Sequence, residues 1–244
     1  MEYSESIWNG FRRLDFVFED KNALLICPNE DTEEKKWLLK TEYFGAFPGF
    51  EICMVEKGYY LAHVNNTTRW CFEEDTHRQA RFAKFLVDEF GLAKKCMPVG
   101  MSCGGMQAVY LAAKYPQIVA AMYLDAPVLN LLSCPCGIGD ATNELYSEFV
   151  SATGWTVSDM INYRSHPIDY VDNLVKNQIP VFLIAGDSDI IVPYHENGKY
   201  LADKYKSISG FCEIIKAGCN HHPHGLEDNT PLVEFAKRVK FQRY

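Results

Sequence analysis

Short apolar runs recur along the chain and are separated by polar or glycine-containing stretches. The first run, Phe11–Phe18, alternates apolar and polar positions, which predicts a strand with one buried face. The later runs are short and almost entirely apolar, which is typical of strands buried on both faces. Further strands are predicted at 22–27, 59–64, 97–99, 119–124, 179–186 and 211–216.

Helical patterns occupy the segments between these strands. The clearest is 78–90, an amphipathic stretch followed by Gly91, a residue suited to the left-handed position after a helix. Other helices are predicted at 33–44 (after a charged loop), at 105–113 and at 231–243. Because strands and helices alternate from Tyr59 onward, we predict a single α/β domain over residues 1–244, with a mostly parallel central sheet and helices on both faces.

Composition and charge narrow the function classes. The chain has 244 residues, of which 48% are hydrophobic and 23% charged, as in ordinary globular proteins. Its net charge of -8 argues against nucleic acids and anionic membrane surfaces as partners. The sequence lacks an apolar stretch of membrane-spanning length and begins without a signal-peptide pattern, so the expected location is the cytoplasm unless an upstream secretion signal was removed.

The nine cysteines do not suggest a disulfide framework. Their number is odd, they are scattered along the chain, and there is no C-x-x-C pair. Cys134-Pro135-Cys136 is the closest pair, and it leaves a metal or redox pair as a minor alternative. Free thiols fit a reducing compartment.

Gly100-Met101-Ser102-Cys103-Gly104 is the most informative local pattern. It matches G-x-S-x-G, and it follows a predicted strand and precedes a predicted helix, as a nucleophile elbow requires. Such a turn holds the serine hydroxyl out at the carboxyl end of a sheet, where helix N-terminal amides favour negative charge. The sequence therefore predicts that Ser102 is a nucleophile.

A serine nucleophile needs a base and a group that orients the base, and both follow later predicted strands. The strand at 179–186 leads into Asp187-Ser188-Asp189, and the strand at 211–216 leads into a loop that holds His221. The order serine, acid, histidine is the one expected for this type of elbow. We predict a triad of Ser102, Asp189 and His221. Asp187 and Asp125, which also follow strands, stay as alternative acids.

Together these segments resemble the α/β-hydrolase superfamily, and more narrowly the bacterial prolyl-oligopeptidase-like carbohydrate esterases. The matching segments are 100–105, 124–128, 186–193 and 218–226. The resemblance implies an α/β-hydrolase fold with a lid insertion. It also places the acid three residues after Gly186, at Asp189. One departure is Cys103, which stands where these relatives usually carry a large basic residue.

The remaining site residues are predicted from geometry and from the resemblance. The backbone amide of Cys103 should supply one donor of the oxyanion hole, because it follows the nucleophile. The resemblance suggests the amide near Trp37 as the second donor. At the N-terminus of a helix, the Cys103 side chain is expected beside the pocket as a favoured thiolate.

Residues 128–173, called the lid segment below, are predicted to cap the site. The aromatic residues of the lid segment, Tyr146, Phe149, Trp155 and Tyr163, either line the pocket or form a small core of their own. Trp155 and His222 are the predicted substrate-binding residues.

A metal site is not predicted, although His221, His222 and His224 are close in sequence. Adjacent side chains on an extended loop should point apart, and no carboxylate has ligand spacing. No cofactor is predicted either.

These patterns predict a serine esterase that acts through an acyl-enzyme. The resemblance suggests short or aromatic acyl groups on a sugar or glycan fragment, so the expected partner is a small-molecule or glycan ester. A small peptidase of the same group is the alternative enzyme. A non-catalytic ligand-binding protein with this fold is the alternative from another class.

Overall fold

The computed structural model describes residues 2–241 and contains one nine-stranded sheet within them. In chain order the strands are β1 (Ser4–Trp8), β2 (Phe11–Phe18), β3 (Lys21–Cys27), β4 (Trp37–Lys40), β5 (Tyr60–Val64), β6 (Met97–Met101), β7 (Met122–Asp125), β8 (Val181–Gly186) and β9 (Phe211–Lys216). The helices are α1 (Gly49–Glu56), α2 (Glu73–Phe90), α3 (Cys103–Lys114), α4 (Tyr146–Thr153), α5 (Val157–Asn162), α6 (Val171–Lys176), α7 (Gly198–Tyr205) and α8 (Thr230–Arg238). The predicted α/β class is confirmed.

The sheet is antiparallel at one edge and parallel elsewhere. Its order is β1-β2-β3-β5-β4-β6-β7-β8-β9, and β5 with every strand after it in this order runs parallel. Helix α1 packs against α8, whereas α3 packs against α2 and α6, and α6 also packs against α7. The carboxyl ends of β6, β7, β8 and β9 therefore meet at one edge of the sheet, where loops can bring side chains together.

The predicted helix at 33–44 is wrong, because the centre of this segment is strand β4. Strand β4 lies between β5 and β6, and all four of its residues are buried. A strand that is buried on both faces carries no alternation of polar and apolar positions, and a run this short can be mistaken for one turn of an amphipathic helix.

Several short elements, namely β1, α1, α4, α5, α6 and α7, have no counterpart among the predicted segments, and one helix is shorter than expected. Strand β1 is exposed along most of its length, so it has no apolar face to reveal it. Helix α8 ends at Arg238, and residues 242–244 of the predicted closing helix lie outside the described residues.

The lid segment packs against the start of α3. A second cluster of buried residues lies beside the main core and contains residues of both the lid segment and α3. It contains Trp70, Cys103, Met106, Tyr110, Val128, Leu131, Cys134, Cys136, Phe149, Met160 and Val192. The beginning of α3, directly after Ser102, is therefore covered by this segment.

Among residues 2–241, none of the helices combines the length and apolar character needed to cross a membrane.

All nine cysteines lie within residues 2–241 as free thiols, and four of them are buried, namely Cys96, Cys103, Cys134 and Cys136.

Candidate active site

Ser102 occupies a sharp turn between β6 and α3. Its backbone is in a left-handed conformation that side-chain-bearing residues rarely adopt, with φ 51° and ψ -121°. Two neighbouring glycines make this turn possible. A Cβ on Gly100 would lie 2.4 Å from the Gly104 carbonyl oxygen, and a Cβ on Gly105 would lie 2.5 Å from Pro127 Cβ. The local sequence therefore specifies the elbow, because no larger residue fits at either glycine.

The loops after β8 and β9 bring Asp189 and His221 to this serine. His221 Nε2 lies 3.0 Å from Ser102 Oγ, and His221 Nδ1 lies 2.8 Å from Asp189 Oδ2. With its proton on Nδ1, His221 donates to the carboxylate and accepts from the hydroxyl. All three residues are buried, so these contacts lie in a region of low effective dielectric.

Asp189 is held by the backbone of its own loop. Its Oδ1 accepts hydrogen bonds from the amides of Ile191 at 2.9 Å and Val192 at 2.8 Å. Burial raises the pKa of Asp189. The hydrogen bond and charge of His221, together with the two amides, lower the pKa by more than burial raises it, so the pKa lies below its usual value. The carboxylate is therefore ionised at neutral pH and positioned to hold His221.

Asp187 has a different set of partners. It is exposed, and its Oδ1 accepts from the Gly218 amide at 2.7 Å and from the Ser188 hydroxyl at 2.9 Å. Asp187 thus connects the loops after β8 and β9 but does not contact His221.

Asn220 was not singled out in the sequence, although it joins the two loops directly. Its Oδ1 accepts hydrogen bonds from the amides of Ile190 at 3.1 Å and His221 at 2.8 Å. The only signal in the sequence is its position next to His221, and one asparagine in a polar loop is not distinctive.

Asp125 forms a second buried pair, with His224 rather than with His221. His224 Nδ1 lies 3.0 Å from Asp125 Oδ1. The other oxygen of Asp125 accepts from the Gly225 amide at 2.6 Å and from the Tyr123 hydroxyl at 3.1 Å. The geometry therefore does not support Asp125 as the acid for His221.

A cavity of about 220 Å³ opens over the serine. Its lining is Tyr43, Ala46, Phe47, Arg69, Met101, Ser102, Glu144, Leu145, Ile191, His221, His222 and His224. His222 lies where a substrate-binding residue was predicted, and the lid segment contributes Glu144 and Leu145. Trp155 is not among these residues, since it packs against Tyr163 with ring centroids 5.0 Å apart. The structure therefore does not place Trp155 at the cavity.

The comparison with known families agrees with this architecture. The family model described as the alpha/beta hydrolase fold matches residues 60–138, which include the elbow. The chain has the α/β-hydrolase fold. The predicted resemblance to this superfamily is thus confirmed at the level of the fold. No curated protein is significantly similar to the chain in sequence.

Solved structures with this fold include peptidases and esterases. A puromycin-hydrolyzing peptidase of Mycobacterium tuberculosis aligns with 91% of this chain and 38% of its own, at 14% identity and a TM-score of 0.69. An S-formylglutathione hydrolase from Agrobacterium tumefaciens aligns with 98% of this chain and 100% of its own, at 12% identity and a TM-score of 0.65. An esterase of Pyrococcus furiosus aligns with 98% and 93%, at 15% identity and a TM-score of 0.64. The chain thus spans about two fifths of the length of the peptidase and nearly all of the two esterase-sized enzymes.

The structure does not place Trp37 at the elbow, where an oxyanion donor was predicted. In this α/β-hydrolase fold Trp37 begins β4, whereas the elbow lies beyond the carboxyl end of the parallel neighbour β6. Its indole N–H donates to the Ala93 carbonyl oxygen at 2.8 Å, which makes it a packing residue of the core. The error follows from the missed strand, because the loop that can reach the elbow begins after β4 and not before it.

The loop after β4 lies against the elbow. Thr41 Oγ1 donates to the Gly104 carbonyl oxygen at 2.7 Å, and Tyr43, two residues further on, lines the cavity. A backbone amide of this loop is therefore better placed than that of Trp37 to face a group bound at Ser102.

The Cys103 thiol is not a favoured thiolate. It is fully buried in the second apolar cluster, and burial raises its pKa to about 11 despite a hydrogen bond with Tyr43 and the nearby charge of Arg69, which act in the opposite direction. Burial of the sulfur thus outweighs the contacts that favour a thiolate.

We therefore expect Cys103→Ala to retain ester hydrolysis within about tenfold of wild type, because alanine keeps the backbone amide. The wild-type enzyme should also resist iodoacetamide at pH 7.5, since a buried thiol of high pKa reacts slowly. The rate of Cys103→Ala checks the first point, and the rates of the wild type before and after alkylation check the second. A folded but inactive Cys103→Ala would instead assign the chemistry to the thiol.

The three histidines of the loop after β9 converge, contrary to expectation. Each pair among His221, His222 and His224 has ring centroids 4.9 Å apart. The premise that adjacent side chains diverge is wrong here, because the chain turns at Pro223 and does not stay extended.

Proposed function

We propose that the protein is a serine hydrolase that cleaves carboxylic esters through an acyl-enzyme. The observation that carries the proposal is the continuous chain of hydrogen bonds from Ser102 through His221 to Asp189 at a cavity. An unassisted hydroxyl is a weak nucleophile, and this arrangement is the one that activates it.

In the proposed reaction, Ser102 Oγ attacks the ester carbonyl while His221 Nε2 takes its proton. The tetrahedral intermediate collapses as His221 returns the proton to the departing alcohol oxygen, which leaves the acyl group on Ser102. Water then attacks the acyl-enzyme with His221 again as base, and the carboxylic acid leaves. Asp189 keeps His221 in the productive tautomer and stabilises the imidazolium that forms twice in the cycle.

The developing oxyanion is proposed to lie between two backbone amides. One is the amide of Cys103, in the first turn of α3, where helix amides lack partners within the helix. The second is assigned to the loop after β4 at Tyr43, in place of Trp37. Both come from segments that touch the elbow, so the site would be preorganised and would not form only on binding.

The size of the cavity favours a short acyl group. About 220 Å³ is below the usual range for drug-sized ligands, and Phe47, Leu145 and Ile191 give it an apolar wall. Arg69 and Glu144 add polar groups to the lining, which could meet a hydroxylated alcohol such as a sugar. The proposal that the alcohol is part of a sugar or glycan comes from the resemblance to carbohydrate esterases.

A small peptidase is the second candidate, because several structures with this fold are peptidases. Those peptidases are more than twice as long as this chain, which matches only about two fifths of them. A non-catalytic binding protein is disfavoured, since ligand binding alone does not require a serine, a histidine and an aspartate that are linked by hydrogen bonds.

A matched set of substrates tests the proposal. We expect p-nitrophenyl acetate to be cleaved with a higher kcat/KM than the octanoate, and acetylated oligosaccharides to release acetate. For one aminoacyl group offered as both ester and anilide, the ester alone should be turned over efficiently. Efficient cleavage of the anilide would favour the peptidase, and no turnover of any substrate would favour the binding protein.

A further inference from the structure

One loop of the protein presents three imidazole rings to the same cavity. One ring nitrogen from each of His221, His222 and His224 lies within 4.8 Å of the others. Zinc–nitrogen bonds are about 2.0–2.1 Å long, so small side-chain rotations would let all three nitrogens reach one ion. His222 is exposed, which gives such an ion a path from solvent.

Two of these rings are already oriented as metal ligands usually are. Histidines that bind metals commonly donate their other ring N–H to a carboxylate or carbonyl, which fixes the tautomer and leaves the ligating nitrogen free. His221 uses Nδ1 on Asp189, and His224 uses Nδ1 on Asp125. In both rings Nε2 thus carries the lone pair that a metal ion would use, and in His221 this nitrogen lies 3.0 Å from Ser102 Oγ.

The charges also suit a divalent cation. Asp125 and Asp189 are buried and sit directly behind two of the three rings, so a dication in front of them would be neutralised.

We propose that His221, His222 and His224 form a zinc-binding site whose occupation blocks hydrolysis. The inhibitory part of this proposal rests on the proposed function, and the binding part does not. A zinc ion on His221 Nε2 takes the lone pair that must accept the Ser102 proton. The ion is an inhibitor and not a cofactor, so prolonged treatment with EDTA should leave ester hydrolysis of the purified enzyme unchanged or restore it.

The binding test uses the full chain with Ser102→Ala, which cannot turn over. A second group of possible ligands, Asp140, His195 and Glu196, lies elsewhere on the surface, so His195→Ala is included in every variant. Zinc binding is measured by competition with a chromophoric chelator in the presence of a non-metal-binding reductant. We expect one site, and at least about tenfold weaker binding when His222→Ala is added.

The activity test uses the enzyme with Ser102 intact. Zinc should inhibit hydrolysis of p-nitrophenyl acetate, EDTA should reverse the inhibition, and His222→Ala should raise the half-inhibitory zinc concentration at least about tenfold. His222 is exposed, so this variant should keep the wild-type thermal unfolding temperature.

Two results would overturn the proposal. One is the absence of zinc binding at micromolar concentrations, and the other is binding or inhibition that His222→Ala leaves unchanged. A failure of the proposed function looks different. In that case no ester would be hydrolysed, while the Ser102→Ala protein would still bind one zinc ion in a manner that depends on His222.

Discussion

Replacing Ser102 by alanine is expected to lower kcat for an activated acetate ester by about four orders of magnitude or more. The hydroxyl is the atom that forms the acyl-enzyme, and no other group near His221 Nε2 offers an equivalent nucleophile in the described contacts. The expected loss lies in kcat, because alanine changes little of the cavity wall. Steady-state kinetics with p-nitrophenyl acetate measure it.

Ser188→Ala is the matched control for this substitution. Ser188 is exposed on the loop after β8, and its hydroxyl donates to the neighbouring Asp187, so the loss of this hydroxyl should leave the rate within a few-fold of wild type. Both variants should fold, as judged by circular dichroism and thermal unfolding. A folded Ser102→Ala that keeps more than about one hundredth of the wild-type rate would contradict a single serine nucleophile.

The second large effect concerns the choice between two aspartates of one loop. Asp189→Asn should lower kcat by about three to four orders of magnitude. With Oδ1 still held by the amides of Ile191 and Val192, the asparagine would turn its NH₂ group toward His221 Nδ1. That nitrogen would then have to accept, the proton would move to Nε2, and His221 could no longer take the proton of Ser102.

Asp187→Asn is the matched control, with an expected loss within about tenfold. Its partners are Gly218 and Ser188, so the substitution affects loop stability and not the histidine. The reverse result, a crippled Asp187→Asn beside a near-normal Asp189→Asn, would reverse the assignment. If both variants are near normal, Asp125→Asn becomes the next variant to measure, although Asp125 contacts His224 and not His221.

The parts of the site that the sequence predicted are those encoded by local patterns. The Gly-x-Ser-x-Gly turn is specified within a few residues, because a Cβ at Gly100 or Gly105 would collide with neighbouring atoms. The acid and the histidine follow apolar strands that are easy to locate, and parallel strands bring their carboxyl ends to one edge. Ser102, Asp189 and His221 could therefore be selected before their contacts were known.

The errors have a common cause in long-range packing. Strand β4 is buried by neighbours distant in sequence, and misassigning it shifted the expected oxyanion donor to Trp37, at the wrong end of the strand. The burial of the Cys103 thiol depends on the lid segment, which lies beyond the next strand in the chain. Likewise, the convergence of His222 with His224 depends on a turn of the loop that no hydrophobic pattern records.

Covalent labelling with a fluorophosphonate tests the central claim most directly, since the reagent forms a stable adduct only with an activated serine. Intact-protein and peptide mass spectrometry should find one adduct, on Ser102, in the wild-type chain and in Ser188→Ala. The adduct should be absent in Ser102→Ala and much slower to form in Asp189→Asn. Stoichiometric labelling of another residue, or no labelling of a folded wild-type chain, would contradict the account.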